Sequence, residues 1–159
     1  MREITIYTDG ACRGNPGPGG YGVILEYVDS SGSVFRKELS QGYRLTTNNR
    51  MEVLAAITGL KALKEPCKVV LYSDSKYLVD AIEKGWLRKW RANDWFRDAK
   101  KKEMAKNVDL WKLLTLQLER HQVAFRWVKG HAENPYNNRC DELAVAAALD
   151  KEHLIEDTI

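Results

Sequence analysis

Residues 4–9 constrain this chain more than any other stretch. Ile4, Ile6 and Thr8 alternate with Thr5, Tyr7 and Asp9, the period of two that marks a β-strand. The strand closes on an aspartate, a poor strand former. A carboxylate at the end of an apolar, central strand is costly unless a cation neutralises it. Taken singly, Asp9 before Gly10 also reads as a turn residue that stops the strand. Residues 14–22 then hold five of the eleven glycines and two of the four prolines. Gly17, Gly19 and Gly22 satisfy the pattern G-x-G-x-x-G, but a dinucleotide site requires that pattern to open a helix. Here Gly22 runs into Val23-Ile24-Leu25-Glu26-Tyr27-Val28, a strand, and the dinucleotide reading fails. The glycines serve either a turn or a close approach to another element.

Val34 to Tyr43 alternates again, so strands one to three form an antiparallel meander. Thr46-Thr47-Asn48-Asn49 is a helix-start signal. Val53, Ala56, Ile57, Leu60 and Leu63 follow at helical spacing up to Glu65-Pro66. Val69 to Tyr72 is a fourth strand, ending at Ser73-Asp74-Ser75 before a helix from Lys76 to about Lys84. Val108 to Arg120 is an amphipathic helix, Val123 to Val128 a fifth strand, and Cys140 to Leu149 the last helix. The expected fold class is α/β: a five-stranded mixed sheet, three antiparallel strands then two parallel, with helices on both faces. Residues 1–150 read as one domain and residues 151–159 as an acidic, frayed tail.

Composition excludes several classes. No apolar run approaches the ~20 residues of a membrane span. Cys12, Cys67 and Cys140 are widely spaced, which gives neither a disulfide framework nor a zinc site and fits a reducing cytoplasm. Met1-Arg2-Glu3 leads straight into the first strand, so no signal peptide is expected. The net charge of +3 is too mild to name a partner, but its distribution is uneven. Lys84 to Lys106 carries nine Lys and Arg against three acids, with Trp86, Trp90 and Trp95 interleaved. A charge run can be a solvated face. Interleaved aromatics favour a nucleic-acid surface, where cations meet phosphates and rings pack on sugar and base.

The topology draws four carboxylates together. Asp9 and Asp74 end neighbouring parallel strands, Glu52 comes from the first long helix and Asp141 from the last. Each has an ordinary explanation alone: Glu52 on a solvent face, Asp74 as an N-cap, Asp141 in a first turn favoured by the helix dipole. Together they would repel, with raised pKa values, unless divalent cations filled the gap. Oxygen-only ligands select Mg²⁺ or Mn²⁺ over Zn²⁺. Two such ions ~4 Å apart form the clamp used for in-line phosphodiester displacement. His131, in the loop before the Asp141 helix, titrates in the range needed to carry protons.

Several segments carry a resemblance. Tyr7-Thr8-Asp9-Gly10, the run from Gly14 to Gly22, Thr46 to Glu52, Ser73-Asp74-Ser75, Val108 to Trp111, Trp127 to Ala132 and Arg139 to Ala144 resemble, in order, bacterial type 1 ribonuclease H. The resemblance implies an endonuclease that hydrolyses the RNA strand of RNA–DNA hybrids with two Mg²⁺ ions (Mn²⁺ as a substitute), leaving 5′-phosphate and 3′-hydroxyl ends. The expected setting is the cytoplasm and the expected state a monomer. Asp9, Glu52, Asp74 and Asp141 match the metal-binding set, with Asp9 bridging both ions, and His131 matches the loop histidine. Cys12, Asn15, Asn48 and Asn49 match minor-groove positions, Thr47 a DNA-phosphate pocket, Trp86 the DNA-channel aromatic, and Asn137 an asparagine near the active site. Lys100, Lys101 and Lys102 belong to the basic protrusion at about 84–106 and are expected to bind substrate. Lys76 stands where the family has a glutamine that touches the minor groove, Glu133 and Asn134 alter the histidine loop, and Asn138 replaces a residue that is often acidic. A resolvase- or transposase-type nuclease of related fold, and a non-catalytic hybrid-binding module, are the alternative functions.

Overall fold

The computed structural model describes residues 1–97, 103–129 and 134–158. At its centre lies β1 (Arg2–Cys12). On one side β2 (Gly17–Val28) and β3 (Val34–Thr46) continue the sheet as an antiparallel meander. On the other, β4 (Cys67–Ser73) and β5 (Gln122–Trp127) run parallel to β1. The order is β3-β2-β1-β4-β5, the five-stranded mixed sheet expected from the alternation of apolar residues.

Helices lie on both faces. α1 (Asn48–Lys61) and α4 (Val108–Arg120) share one face. Ile4, Ile6, Val23 and Leu71 of the sheet join Val53, Leu60, Trp111 and Leu114 in the main core. Short α2 (Lys76–Glu83) and α3 (Trp86–Ala92) connect β4 to α4. α5 (Pro135–Leu149) covers the opposite face, where Cys140 meets Tyr7 and Ile24.

The glycine-rich segment does not merely turn. β2 begins at Gly17 rather than Val23, so most of those glycines are strand residues. A Cβ on Gly20 would stand 2.7 Å from the carbonyl oxygen of Ala144, and one on Gly22 or Gly42 would collide with those of Cys140 or Ala147. The missing side chains let α5 lie directly on the sheet, which is the close approach their density implies.

Four expectations change. α5 starts at Pro135, not Cys140, because the Asn134 side chain accepts from the Tyr136 and Asn137 amides and caps it. Asp141 therefore lies beyond the first turn, where the dipole no longer explains it. Ser75, not Asp74, caps α2 by accepting from the Leu78 amide at 3.1 Å. The tail is not frayed: Ile155 bonds Gly42 and Arg44 through its backbone, and the Asp157 carboxylate takes hydrogen bonds from Thr46 and Arg50. Finally, Trp86, Trp90 and Trp95 pack against the main core, with the Trp90 ring 5.8 Å from Trp111. The three rings are thus partly committed to the core, and each stays partly exposed.

Candidate active site

The sheet register brings the first pair of carboxylates together. β1 and β4 pair in parallel as far as Tyr7 opposite Tyr72. Two residues further on, each chain carries its aspartate, Asp9 and Asp74. Glu52 arrives from the first turns of α1, whose N-terminus Thr47 caps by accepting from the Arg50 amide. α1 can come this close because residue 10 is glycine: a Cβ there would sit 2.7 Å from the Glu52 amide nitrogen. One carboxylate oxygen from each of Asp9, Glu52 and Asp74 lies within 4.8 Å of the others. Asp141, from α5, lines the same cleft of about 580 Å³.

Electrostatics in this cluster are unfavourable without a cation. Asp9 is 6% exposed and Glu52 4%, so the Glu52 reading as a solvent-face residue is wrong. Burial, then the Asp74 and Asp141 carboxyls, push Asp9 up to about 9. Burial and the charges of Asp9 and Asp74 raise Glu52 well above the carboxylate range, against a small opposing pull from the Gly10 amide. Among the described residues no Lys or Arg is ion-paired to any of the four. Glu52 Oε1 is buried with no hydrogen-bond partner there. A buried carboxyl oxygen left without a partner is costly. An all-oxygen cluster with an orphaned ligand atom fits a hard divalent cation such as Mg²⁺ or Mn²⁺.

The other sequence-derived residues divide into two groups. Cys12, Asn48, Asn49 and Lys76 line the carboxylate cleft. Asn15 is exposed beside it, its Oδ1 accepting from the Asn48 amide at 3.1 Å. The Cys12 thiol points at the Gly17 and Thr46 carbonyls. Asn137 donates to the Thr8 carbonyl at 3.4 Å, and its own amide oxygen is buried without a partner among the described residues. Trp86 lies apart, half-buried on α3 with the Lys84 ammonium 5.4 Å from its ring centre. His131, Glu133 and Lys100 to Lys102 lie outside the described residues. Sequence reasoning gave no role to Trp127, whose half-exposed ring also lines the cleft and whose indole N–H donates to the Asp74 carbonyl at 3.1 Å. The available signal was its place at the end of β5, in register with Ser73.

The RNase H family model matches residues 1–149. The ribonuclease H of Desulforamulus reducens is 63% identical over 148 residues, 93% of this chain and 89% of that protein. The ribonuclease HI of Synechocystis is 54% identical over 155 residues, 98% of this chain and 93% of its own. Among solved structures, LC9-RNase H1, a type 1 RNase H with the type 2 active-site motif, superposes with a TM-score of 0.83 at 32% identity, covering 93% of this chain and 72% of that one. LC11-RNase H1, solved in complex with RNA/DNA hybrid, gives 0.60 at 27% identity, covering 94% and 98%. A match across nearly the whole chain, at this identity and with a buried acidic cluster at the expected strand ends, means that the chain belongs to the ribonuclease H family of metal-dependent ribonucleases.

Proposed function

We propose that this protein is an endonuclease that hydrolyses the RNA strand of RNA–DNA hybrids with two divalent cations, giving 5′-phosphate and 3′-hydroxyl ends. The observation that carries the reading is the convergence of Asp9, Glu52 and Asp74 within 4.8 Å, with Glu52 Oε1 orphaned. Asp9, Glu52, Asp74 and Asp141 would hold the cations. When bound, these supply Lewis acidity at the scissile phosphate and lower the pKa of attacking water. The remaining work belongs to the chain. The Asn48 and Asn49 amides are exposed at the rim, suited to hydrogen-bond the minor groove, where the 2′-hydroxyl distinguishes RNA. Asn15 braces that rim through the Asn48 backbone amide, with Cys12 beside it, and Asn137 reaches β1 from α5 near the carboxylates. Thr47 offers its hydroxyl to a DNA-strand phosphate, and Trp86 packs along the DNA channel. His131 moves protons at the loop before α5. Residues 1–150 would form the catalytic domain of a cytoplasmic monomer, with 84–106 as a basic handle. A structure of LC11-RNase H1 with bound hybrid supports the substrate class.

The test is incubation with labelled hybrid, duplex RNA, duplex DNA and single strands, with Mg²⁺ or EDTA. Only the RNA of the hybrid should be cut, and EDTA should stop it. Duplex DNA cut as fast as hybrid would favour a resolvase-type enzyme, and binding without cutting a non-catalytic module.

The basic handle makes a separate prediction. Replacing Lys100, Lys101 and Lys102 together with alanine should raise KM and leave kcat nearly intact, because uniform binding is lost. Each lost phosphate contact should also flatten the salt dependence by about 0.9 in log–log slope. Steady-state cleavage at several ionic strengths measures both, and an unchanged KM at every salt concentration would remove the binding role.

A further inference from the structure

One cation stands in the carboxylate cleft. Lys76, the first residue of α2, lines the same cleft as Asp9, Glu52, Asp74 and Asp141. Its side chain is exposed, and among the described residues it forms no ion pair with a carboxylate. Its ammonium instead lies 4.9 Å from the centre of the Trp127 ring. An aromatic face attracts an ammonium without neutralising it, so the charge stays available to a ligand. The ring is itself fixed, because its N–H donates to the Asp74 backbone carbonyl. The ammonium is thus held at a set offset from a metal-binding carboxylate, two residues along the chain.

Chemistry decides what such a group recognises. The amides of Asn48 and Asn49 in this cleft are the groups suited to base edges and sugar hydroxyls. Lys76 offers a compact point charge with three donors and no acceptor, which suits an anionic oxygen. In a nucleic acid that oxygen belongs to the backbone.

We infer that Lys76, aimed by Trp127, binds the phosphate next to the scissile one on the RNA strand and so positions that strand by charge rather than by base edge. The inference rests on the hybrid-cleaving function proposed above. The contact is independent of base sequence, since every nucleotide carries the same phosphate. It makes Lys76 and Trp127 positioning residues, acting on substrate placement rather than on the reacting bond.

Neutralising either partner tests the contact. Lys76→Gln, an exposed change at a helix start, should leave the melting temperature unaltered. At low salt it should raise KM about tenfold, keep kcat within about twofold, and flatten the log–log salt dependence by about 0.7–0.9, the loss of one phosphate contact. Lys76→Arg should restore both. A hybrid with a single uncharged methylphosphonate linkage beside the cleavage site should raise KM of the unsubstituted protein by a similar factor. It should cost the Lys76→Gln variant nothing further, the non-additivity of two groups in contact. Equal costs to both proteins at every linkage position would overturn the inference, as would an unchanged salt slope. A variant altered only in its Mg²⁺ requirement would also overturn it, assigning Lys76 to charge balance within the carboxylate cluster. Absence of hybrid cleavage by the unsubstituted protein would instead bring down the function on which the inference rests.

Discussion

Asp9→Asn will abolish turnover and, in metal-free protein at neutral pH, raise stability. The first effect follows from position. Asp9 lies among Glu52, Asp74 and Asp141, and an amide there cannot supply anionic charge to cations. Removing a single donor from a preorganised site costs ~10²–10³-fold, so loss of a central charged ligand should exceed ~10³-fold. His131→Ala should be milder, since a proton carrier contributes ~10²–10⁴-fold and water replaces it in part. Equal, complete losses in both variants would contradict this division.

The second effect follows from linkage. Asp9 is raised from 3.8 to about 9 in the folded protein. A group raised on folding contributes stability that is present below its unfolded pKa and lost as pH rises through the folded one. Metal-free protein should therefore weaken from about pH 4 upward, and asparagine, which keeps the shape and takes no proton, should remove that slope. At ~1.4 kcal/mol per pKa unit, the gain at pH 7 is on the order of 2–4 kcal/mol, or roughly 5–10 °C in Tm. Near pH 3 the gain should vanish, and saturating Mg²⁺ should stabilise the unsubstituted protein selectively. Thermal melts with EDTA across that range check the sign. A variant less stable than its parent at pH 7 would mean that the carboxylates are not in conflict.

Arg50→Ala should produce the largest destabilisation. Arg50 is 2% exposed. Its guanidinium donates twice to Asp109, at 3.0 and 2.7 Å, twice to Asp157, at 2.8 and 2.9 Å, and once to Asn107 at 3.1 Å, which uses all five of its donors. Burial opposes the charge on Arg50, but the two carboxylates outweigh it and hold the group protonated. Burial likewise opposes ionisation of Asp157, and the hydrogen bonds from Arg50 and Thr46 overcome it and keep the carboxyl below its usual range. The Asp157 side chain is 6% exposed. Truncating Arg50 strands that charge, and breaking one side of a buried pair costs ~3–5 kcal/mol. Because the Asp157 and Asp109 pKa values are lowered, their contribution is present above the unfolded carboxylate pKa and fades as pH falls below it. The difference between variant and parent should be widest near neutrality and narrow in acid. Urea melts at two pH values measure it, and a loss under about 1 kcal/mol would show that the network contributes little.

The strands and long helices were legible because their apolar residues repeat at two or at three to four. Asp9 and Asp74 were legible as neighbours because right-handed crossovers force β1 and β4 parallel. Glu52 was harder to read: its spacing suits a solvent face, and only the bare Gly10 backbone draws α1 close enough to bury it. The start of α5 was missed because its cap is Asn134, within a polar stretch that reads as loop. Cys12, Asn15 and Asn137 were singled out only through resemblance, since nothing in their spacing selects them. Arg50 and Asp157 were invisible as a pair, 107 positions apart, and no periodicity records a contact of that kind.

The same tail contacts bear on solubility. β3 is an outer strand, and outer strands offer unpaired backbone groups to other chains. Its first half carries Arg36, Lys37 and Glu38, charges that discourage such pairing. Its second half has one charge, Arg44, and that is paired with Glu156 at 2.6 Å. There Ile155 takes the Arg44 N–H and gives its own N–H to the Gly42 carbonyl. The last residues of the chain thus occupy, from within the molecule, the docking line along which a second copy would begin to aggregate.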